Sequence, residues 1–282
     1  MSKGRNIALT GVPRSGTTLC CRLLGEAVQT VALFEPMDVQ RLPHQDRAAA
    51  LDQVEAFFAM SRRSLVTSGR AFSNQIGGSV PDNPFGQQRD SQGRRMREAV
   101  LGEIVVDKPL GDDFTLVVKH NAAFTALLPE LAQGMEAFAV VRNPLAVLAS
   151  WHSVDLPVSH GRLPAGERLD VELSSLLDSL DDVLERQIAI LDWFFERYAT
   201  ALPRERVMAY EAVIHSGGEE LALATGLPVP RMPLTGRNAS KLYDSALAWH
   251  LAERLLARGG GWHAFYCDAE IEALAKLMAA GD

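Results

Sequence analysis

A five-residue apolar run at positions 6–10 (NIALT) breaks at once into Gly11-Val-Pro-Arg-Ser-Gly16 and then into a helix-patterned segment. In the segment 17–28, Leu19, Cys20, Leu23, Leu24, Ala27 and Val28 fall on one helical face. A strand that turns through a glycine-rich loop into a helix aims several backbone N–H groups at one point, an arrangement suited to an anion. The pattern then repeats without its glycines. Apolar runs at 30–34, 114–118, 137–141 and 207–210 read as strands, and the segments 46–66, 122–131, 144–153 and 173–202 read as helices. Such alternation predicts an α/β fold: a three-layer sandwich with a central parallel sheet covered on both faces. In these sheets ligands sit beyond the carboxyl ends of the strands, so the polar residues there are expected to converge.

Composition supports a packed chain. Of 282 residues 47% are hydrophobic, enough to bury a core, and no internal repeat interrupts them, so residues 1–282 read as a single domain. The formal net charge of −7 argues against general nucleic-acid binding, whose affinity rests on neutralising phosphates. Three cysteines, two of them the adjacent Cys20 and Cys21, make no disulfide framework, and no Cys/His spacing suggests a metal. The N-terminal apolar run is too short for a signal peptide, and no segment is long enough to span a bilayer. A cytoplasmic protein with no membrane partner is therefore expected.

The expected strand ends carry Arg14 in the first loop, Glu35, the pair Lys119–His120, the pair Arg142–Asn143, and Glu211. Gly11 and Gly16 have the spacing of a kinase phosphate loop, but Thr17 stands where that loop has lysine. The cation is Arg14, inside the loop. A small-molecule kinase and a non-catalytic nucleotide-binding protein remain alternatives on this reading.

The segment GVPRSGTTL at 11–19 resembles the 5′-phosphosulfate loop of sulfotransferases that use 3′-phosphoadenosine 5′-phosphosulfate (PAPS), with wording nearest the tyrosylprotein sulfotransferase branch. VVRNPLAVLASW at 140–151 is similar to the family's 3′-phosphate site, an Arg followed eight residues later by a Ser, and VMAYEAV at 207–213 to its Tyr-Glu motif. The resemblance covers residues 5–214 and implies that the sandwich is of the P-loop NTPase-like (sulfotransferase) kind. It implies in-line transfer of a sulfuryl group from PAPS, without a metal, to a hydroxyl or amine. Pro13, Arg14, Ser15, Gly16, Thr17 and Thr18 would then form the phosphosulfate cradle, and Arg142 and Ser150 the 3′-phosphate clamp, with Tyr210 nearby. Arg14 and Lys119 would stabilise the leaving group. Glu35 matches the base position of the tyrosylprotein branch. Other branches use a histidine, which leaves His120 and His44 as rivals.

The family closes over PAPS with a basic C-terminal segment, which makes Arg237, Ser240 and Lys241 candidates for phosphate contact and 230–265 a candidate lid. A solvated loop explains that stretch equally well. Residues 67–113 and 153–168 read as loops that wall the acceptor side. Arg94, Arg95 and Arg97 fit either a solvated helix face or an anion site. The acceptor is expected to be a hydroxyl-bearing small molecule, glycan or peptide, and a homodimer is compatible with the family. Asp107-Lys108-Pro109 has no place in this reading.

Overall fold

The computed structural model describes residues 4–91, 93–239 and 245–280. Nine strands are present among them: β1 (Asn6–Gly11), β2 (Thr30–Phe34), β3 (Arg70–Gln75), β4 (Phe85–Arg89), β5 (Arg95–Arg97), β6 (Val100–Val105), β7 (Thr115–Lys119), β8 (Glu136–Val141) and β9 (Val207–Ala209). The helices are α1 (Thr17–Glu26), α2 (Arg47–Ser68), α3 (Ala122–Ala126), α4 (Leu128–Gly134), α5 (Pro144–Trp151), α6 (Pro164–Leu169), α7 (Val171–Ser179), α8 (Val183–Ala201), α9 (Tyr210–His215), α10 (Glu219–Thr225), α11 (Ser245–Arg258) and α12 (Asp268–Ala279).

Five strands form one sheet in the order β2-β7-β1-β8-β9, with every neighbouring pair parallel. Period-two alternation divides their side chains between two cores. Ile7, Leu9, Phe34, Val117, Val140 and Met208 face α1, α9 and α10. Ala8, Leu33, Leu116, Val118, Ala139 and Val141 face the larger helical layer, which includes α2, α5, α8, α11 and α12. This is the expected α/β layering. Neighbours β7 and β8 flank β1, so the loop after β1 opens at a point where chain order departs to both sides.

Three sequence expectations change. Residues 67–113 are two antiparallel ribbons, β3 with β6 and β4 with β5, rather than a loop. β3, β4 and β5 hold no β-branched residue, whereas β6 (VLGEIV) holds Val100, Ile104 and Val105, and a two-stranded ribbon alone is marginal in water. Docking on β2 stabilises the first ribbon: the Ser73 hydroxyl accepts the Phe34 N–H at 2.9 Å, and the Asn74 amide donates to the Glu35 carbonyl at 2.7 Å. The stretch 173–202 is two helices. Its apolar period runs through the break, but Asp182 caps α8 by accepting the Glu185 N–H. Residues 154–168 hold a 3₁₀ turn (Pro157–His160) and the start of α6.

Val229 lies in the α1-side core, and residues 232–239 after it cross the carboxyl edge of the sheet, most of them on the cavity wall. α11, α12 and the buried Trp262 pack into the large core, so among the described residues the candidate lid 230–265 contracts to that crossing segment. Among the described residues no helix is long and apolar enough to cross a membrane. Lys108 acts locally, its amine donating to the Gly25 and Ala27 carbonyls at the end of α1.

Candidate functional site

One cavity of about 970 Å³ lies over the carboxyl ends of the parallel strands. Pro13, Arg14, Gly16, Thr17 and Thr18 line it from the first loop, with Glu35, Lys119, His120, Arg142, Tyr210 and Arg237. Of the residues expected to converge at the strand ends, Arg14, Glu35, Lys119, His120 and Arg142 do so, whereas Asn143 and Glu211 are off the cavity wall. His44 is exposed and does not line the cavity. Ser240 and Lys241 lie outside the described residues.

The loop is shaped by its two glycines. Gly11 has φ +156°, and a Cβ there would lie 2.4 Å from the Val140 carbonyl. Gly16 caps α1 with φ +89°, and a Cβ would lie 2.5 Å from the Tyr210 ring. The Ser15 hydroxyl is buried and donates to the Val140 carbonyl at 2.8 Å. Ser15 thus fixes the loop to β8 instead of facing the cavity, unlike the cradle role the resemblance implies. The first N–H groups of α1 have no helical partner and emerge among Gly16, Thr17, Thr18 and Leu19, all on the cavity wall.

Arg14 sits at φ 74°, in the left-handed region that a non-glycine residue rarely occupies. Glu35 does the same at φ 43°. Strain of this kind costs about 1–3 kcal/mol and gathers at functional sites. The conformation turns the Arg14 guanidinium across the cavity, where Nε donates to the Ser150 hydroxyl at 3.1 Å and the plane lies 4.6 Å from the centre of the Phe85 ring. Ser150 is buried behind Arg14 and off the cavity wall.

Arg142 ends β8 and is nearly enclosed, stacked 4.8 Å from the Tyr210 ring centre. Its guanidinium donates to the Arg14 carbonyl at 2.9 Å, the Arg237 carbonyl at 2.7 Å and the Asn238 side chain at 2.7 Å. The Tyr210 hydroxyl accepts the Arg237 N–H at 3.2 Å. Behind these, the Glu211 carboxylate accepts from the Asn143 N–H at 3.0 Å, the Asn238 amide at 2.7 Å and the Tyr266 hydroxyl at 2.8 Å. Glu211 thus ties the crossing segment to the end of β8.

The floor is a charged pair. Lys119 Nζ is 2.6 Å from Glu35 Oε1, and the lysine is 1% exposed, its amine 4.7 Å from the Phe34 ring centre. Arg97 approaches the other Glu35 oxygen at 3.8 Å. Burial pushes the Glu35 carboxyl upward, but Lys119, by its charge and its hydrogen bond, and Arg97 pull it below its ordinary value. Glu35 is therefore ionised at neutral pH. His120 Nε2 accepts the Met37 N–H at 3.1 Å, and burial pushes its pKa down to about 4. Its ring is neutral and this lone pair is already engaged. Asn121, not His120, precedes α3.

Phe85, Asn83 and Asn74, all within the supposed loop, were not foreseen. Asn83 accepts from Arg14 at 3.3 Å and Asn74 from Arg97 at 2.9 Å. The three Arg residues at 94–97 lie on or beside strand β5, not on a helix.

No family model matches the chain, and no curated protein does. Among solved structures, a sulfotransferase from Alicyclobacillus acidocaldarius matches with 13% identity and a TM-score of 0.39, covering 90% of this chain and 94% of that one. A sulfotransferase from Mycobacterium tuberculosis H37Rv matches with 13% identity and a TM-score of 0.32, covering 98% and 77% respectively. At this identity, and with TM-scores below 0.5, neither likeness bears on the chemistry of the cavity.

Proposed function

We propose that this chain is a PAPS-dependent sulfotransferase acting on a hydroxyl group. One observation carries the reading. Two cationic anion-binding elements 128 residues apart, the Arg14 loop and Arg142, meet at 2.9 Å on one cavity whose floor holds a carboxylate–lysine pair. The donor set fits a nucleotide with phosphates on both sides of its ribose. Arg14, Gly16, Thr17 and Thr18 would hold the phosphosulfate at the start of α1, where the missing side chain of Gly16 lets the loop pass against the Tyr210 ring. Arg142 and Arg237 would hold the 3′-phosphate, whose geometry suits a planar guanidinium fork. When bound, PAPS supplies the sulfuryl group, and its bridging oxygen takes the negative charge as the sulfur–oxygen bond breaks.

Each role follows from position. Lys119, fixed and nearly enclosed, presents a positive charge to developing negative charge in a site of low dielectric. Glu35 takes the acceptor's hydroxyl proton as the new sulfur–oxygen bond forms. Its low pKa makes it a weak base, which suffices for a loose transition state in which the acceptor needs little activation until late. Ser150 holds Arg14 in place. His120 supports the Met37 backbone and is not the base.

Transfer of labelled sulfate from PAPS to a panel of hydroxylated acceptors tests this. Glu35→Gln should cut turnover by roughly 10²–10⁴-fold while leaving the affinity for PAP, the product nucleotide, within about threefold. Turnover at the native rate in that variant would remove Glu35 as base.

A further inference from the structure

The cavity holds more positive charge than the proposed donor neutralises. Among the described residues eight Lys and Arg side chains line it, against two carboxylates, Glu35 and Asp82. Arg22 is paired with Glu26 at 3.6 Å, which leaves a formal excess of five in a chain whose net charge is −7. PAPS carries about four negative charges, so an excess of about one remains. Arg14, Arg22, Lys119, Arg142 and Arg237 belong to the loop, α1, β7, the end of β8 and the crossing segment. Three cations stand apart on the β4–β5 ribbon: Arg89, Arg95 and Arg97.

This ribbon borders the Glu35 end. Arg97 Nη2 lies 3.8 Å from the Glu35 carboxylate, and its other contacts are neutral: the Ala99 carbonyl, the Asn74 side chain and the Phe34 ring. The exposed Arg89 donates to the Gly93 carbonyl. The Arg95 N–H bonds the Ser153 carbonyl at 3.2 Å, and Arg94 pairs with Asp155 at 3.0 Å, so the ribbon is fastened to the segment that follows α5. From there the chain contributes Leu156, Val158, Leu163 and Ala165 to the cavity wall, and Met37 and Val39 join them after β2. Basic ribbon and apolar wall thus line the same cavity as the carboxylate, with Arg97 beside it.

Resting on the sulfotransferase reading, we infer that the acceptor is a small amphiphilic acid: a hydroxyl at Glu35, an apolar body against the Leu156–Ala165 wall, and an anionic group on Arg89 and Arg97. The apolar wall offers nothing to the many hydroxyls of a glycan, which would lose water without gaining hydrogen bonds there. A charged hydrogen bond to an Arg on the ribbon supplies selectivity for an acid over its uncharged analogue.

Calorimetry on the full chain tests this with two probes of matched shape, 4-hydroxyphenylacetate and 4-hydroxyphenylacetamide, titrated into PAP-loaded protein. The acid should bind roughly 10- to 100-fold tighter than the amide. In the double variant Arg89→Gln, Arg97→Gln that ratio should fall to near one. The ratio is the readout because a change at Glu35 affects both probes alike. PAP binding is measured first on each sample. Absence of PAP binding overturns the sulfotransferase reading and this inference with it. If PAP binds, the inference alone is overturned by equal affinity for acid and amide, by a ratio that survives the double variant, or by an acidic tyrosine peptide or a glucuronate that binds tighter than the phenolic acid.

Discussion

Removing the titration of His120 should change how stability depends on pH, by an amount the structure sets. The ring is buried, its Nε2 accepts the Met37 N–H, and its pKa is pushed from the ordinary 6.5 down to about 4, by burial first, which outweighs an upward pull from Glu35, with a lesser downward push from Lys119. The unfolded chain takes up a proton near 6.5, and the folded chain only near 4. Between these values the unfolded state binds more protons, so stability is full above the upper value and falls as pH falls. From pH 7 to pH 4 the loss is about 3 kcal/mol, integrated over a shift of that size. Gln at position 120 can place a carbonyl oxygen where Nε2 stands and accept the same N–H without titrating. His120→Gln should therefore cost some packing against Phe124 at neutral pH yet flatten the profile below it. Urea unfolding at a series of pH values reads the difference between native and variant. Parallel profiles would refute the reasoning, because they would mean that His120 titrates alike in both states. The same variant separates structure from chemistry: at pH 7 its transfer rate per folded molecule should stay within about tenfold of native, since Glu35 is the proposed base.

Two further outcomes are expected. Arg142→Ala should weaken PAP binding by about 1.5–3 kcal/mol in calorimetry, the range for a charged hydrogen bond, and an unchanged dissociation constant would take Arg142 out of the nucleotide site. Glu211→Ala, which leaves Asn238 without its carboxylate partner, should lower PAP affinity through Arg142 by about 1–2 kcal/mol. Glu211→Gln, which can still accept from Asn238, should recover most of that loss, whereas equal losses in both variants would mean that the charge itself is what matters.

The parallel sheet was legible because its strands are buried on both faces and read as unbroken apolar runs, as in AFAVV and FTLVV. The loop between Gly11 and Gly16 was legible because its two glycines answer specific steric demands, from the Val140 carbonyl and the Tyr210 ring. Lys119, Glu35 and Arg142 announced themselves as polar residues at the ends of such runs. What stayed hidden depends on tertiary contact. Three of the four ribbon strands in 67–113 lack β-branched residues, and in β6 Val100, Leu101 and Val105 are exposed beside the one buried Ile104, so no clean period-two signal reaches the sequence. Phe85 and Asn83, which hold Arg14, were lost with them. Ser15 looked like its neighbours in the loop, yet a single hydrogen bond to Val140 turns its hydroxyl to the sheet. The break before α8 was masked because the apolar period continues across it; only the Asp182 cap marks the boundary.

The central claim is that Arg142 and the Arg14 loop grip a nucleotide phosphorylated at both its 3′ and 5′ positions. Competition between PAP and ADP for the native chain, followed by calorimetry with and without Mg²⁺, addresses it directly, because ADP lacks the 3′-phosphate. The account predicts a single site that prefers PAP by roughly tenfold or more, independent of Mg²⁺. Equal affinity for the two nucleotides, or a preference for ADP that appears with Mg²⁺, would contradict it.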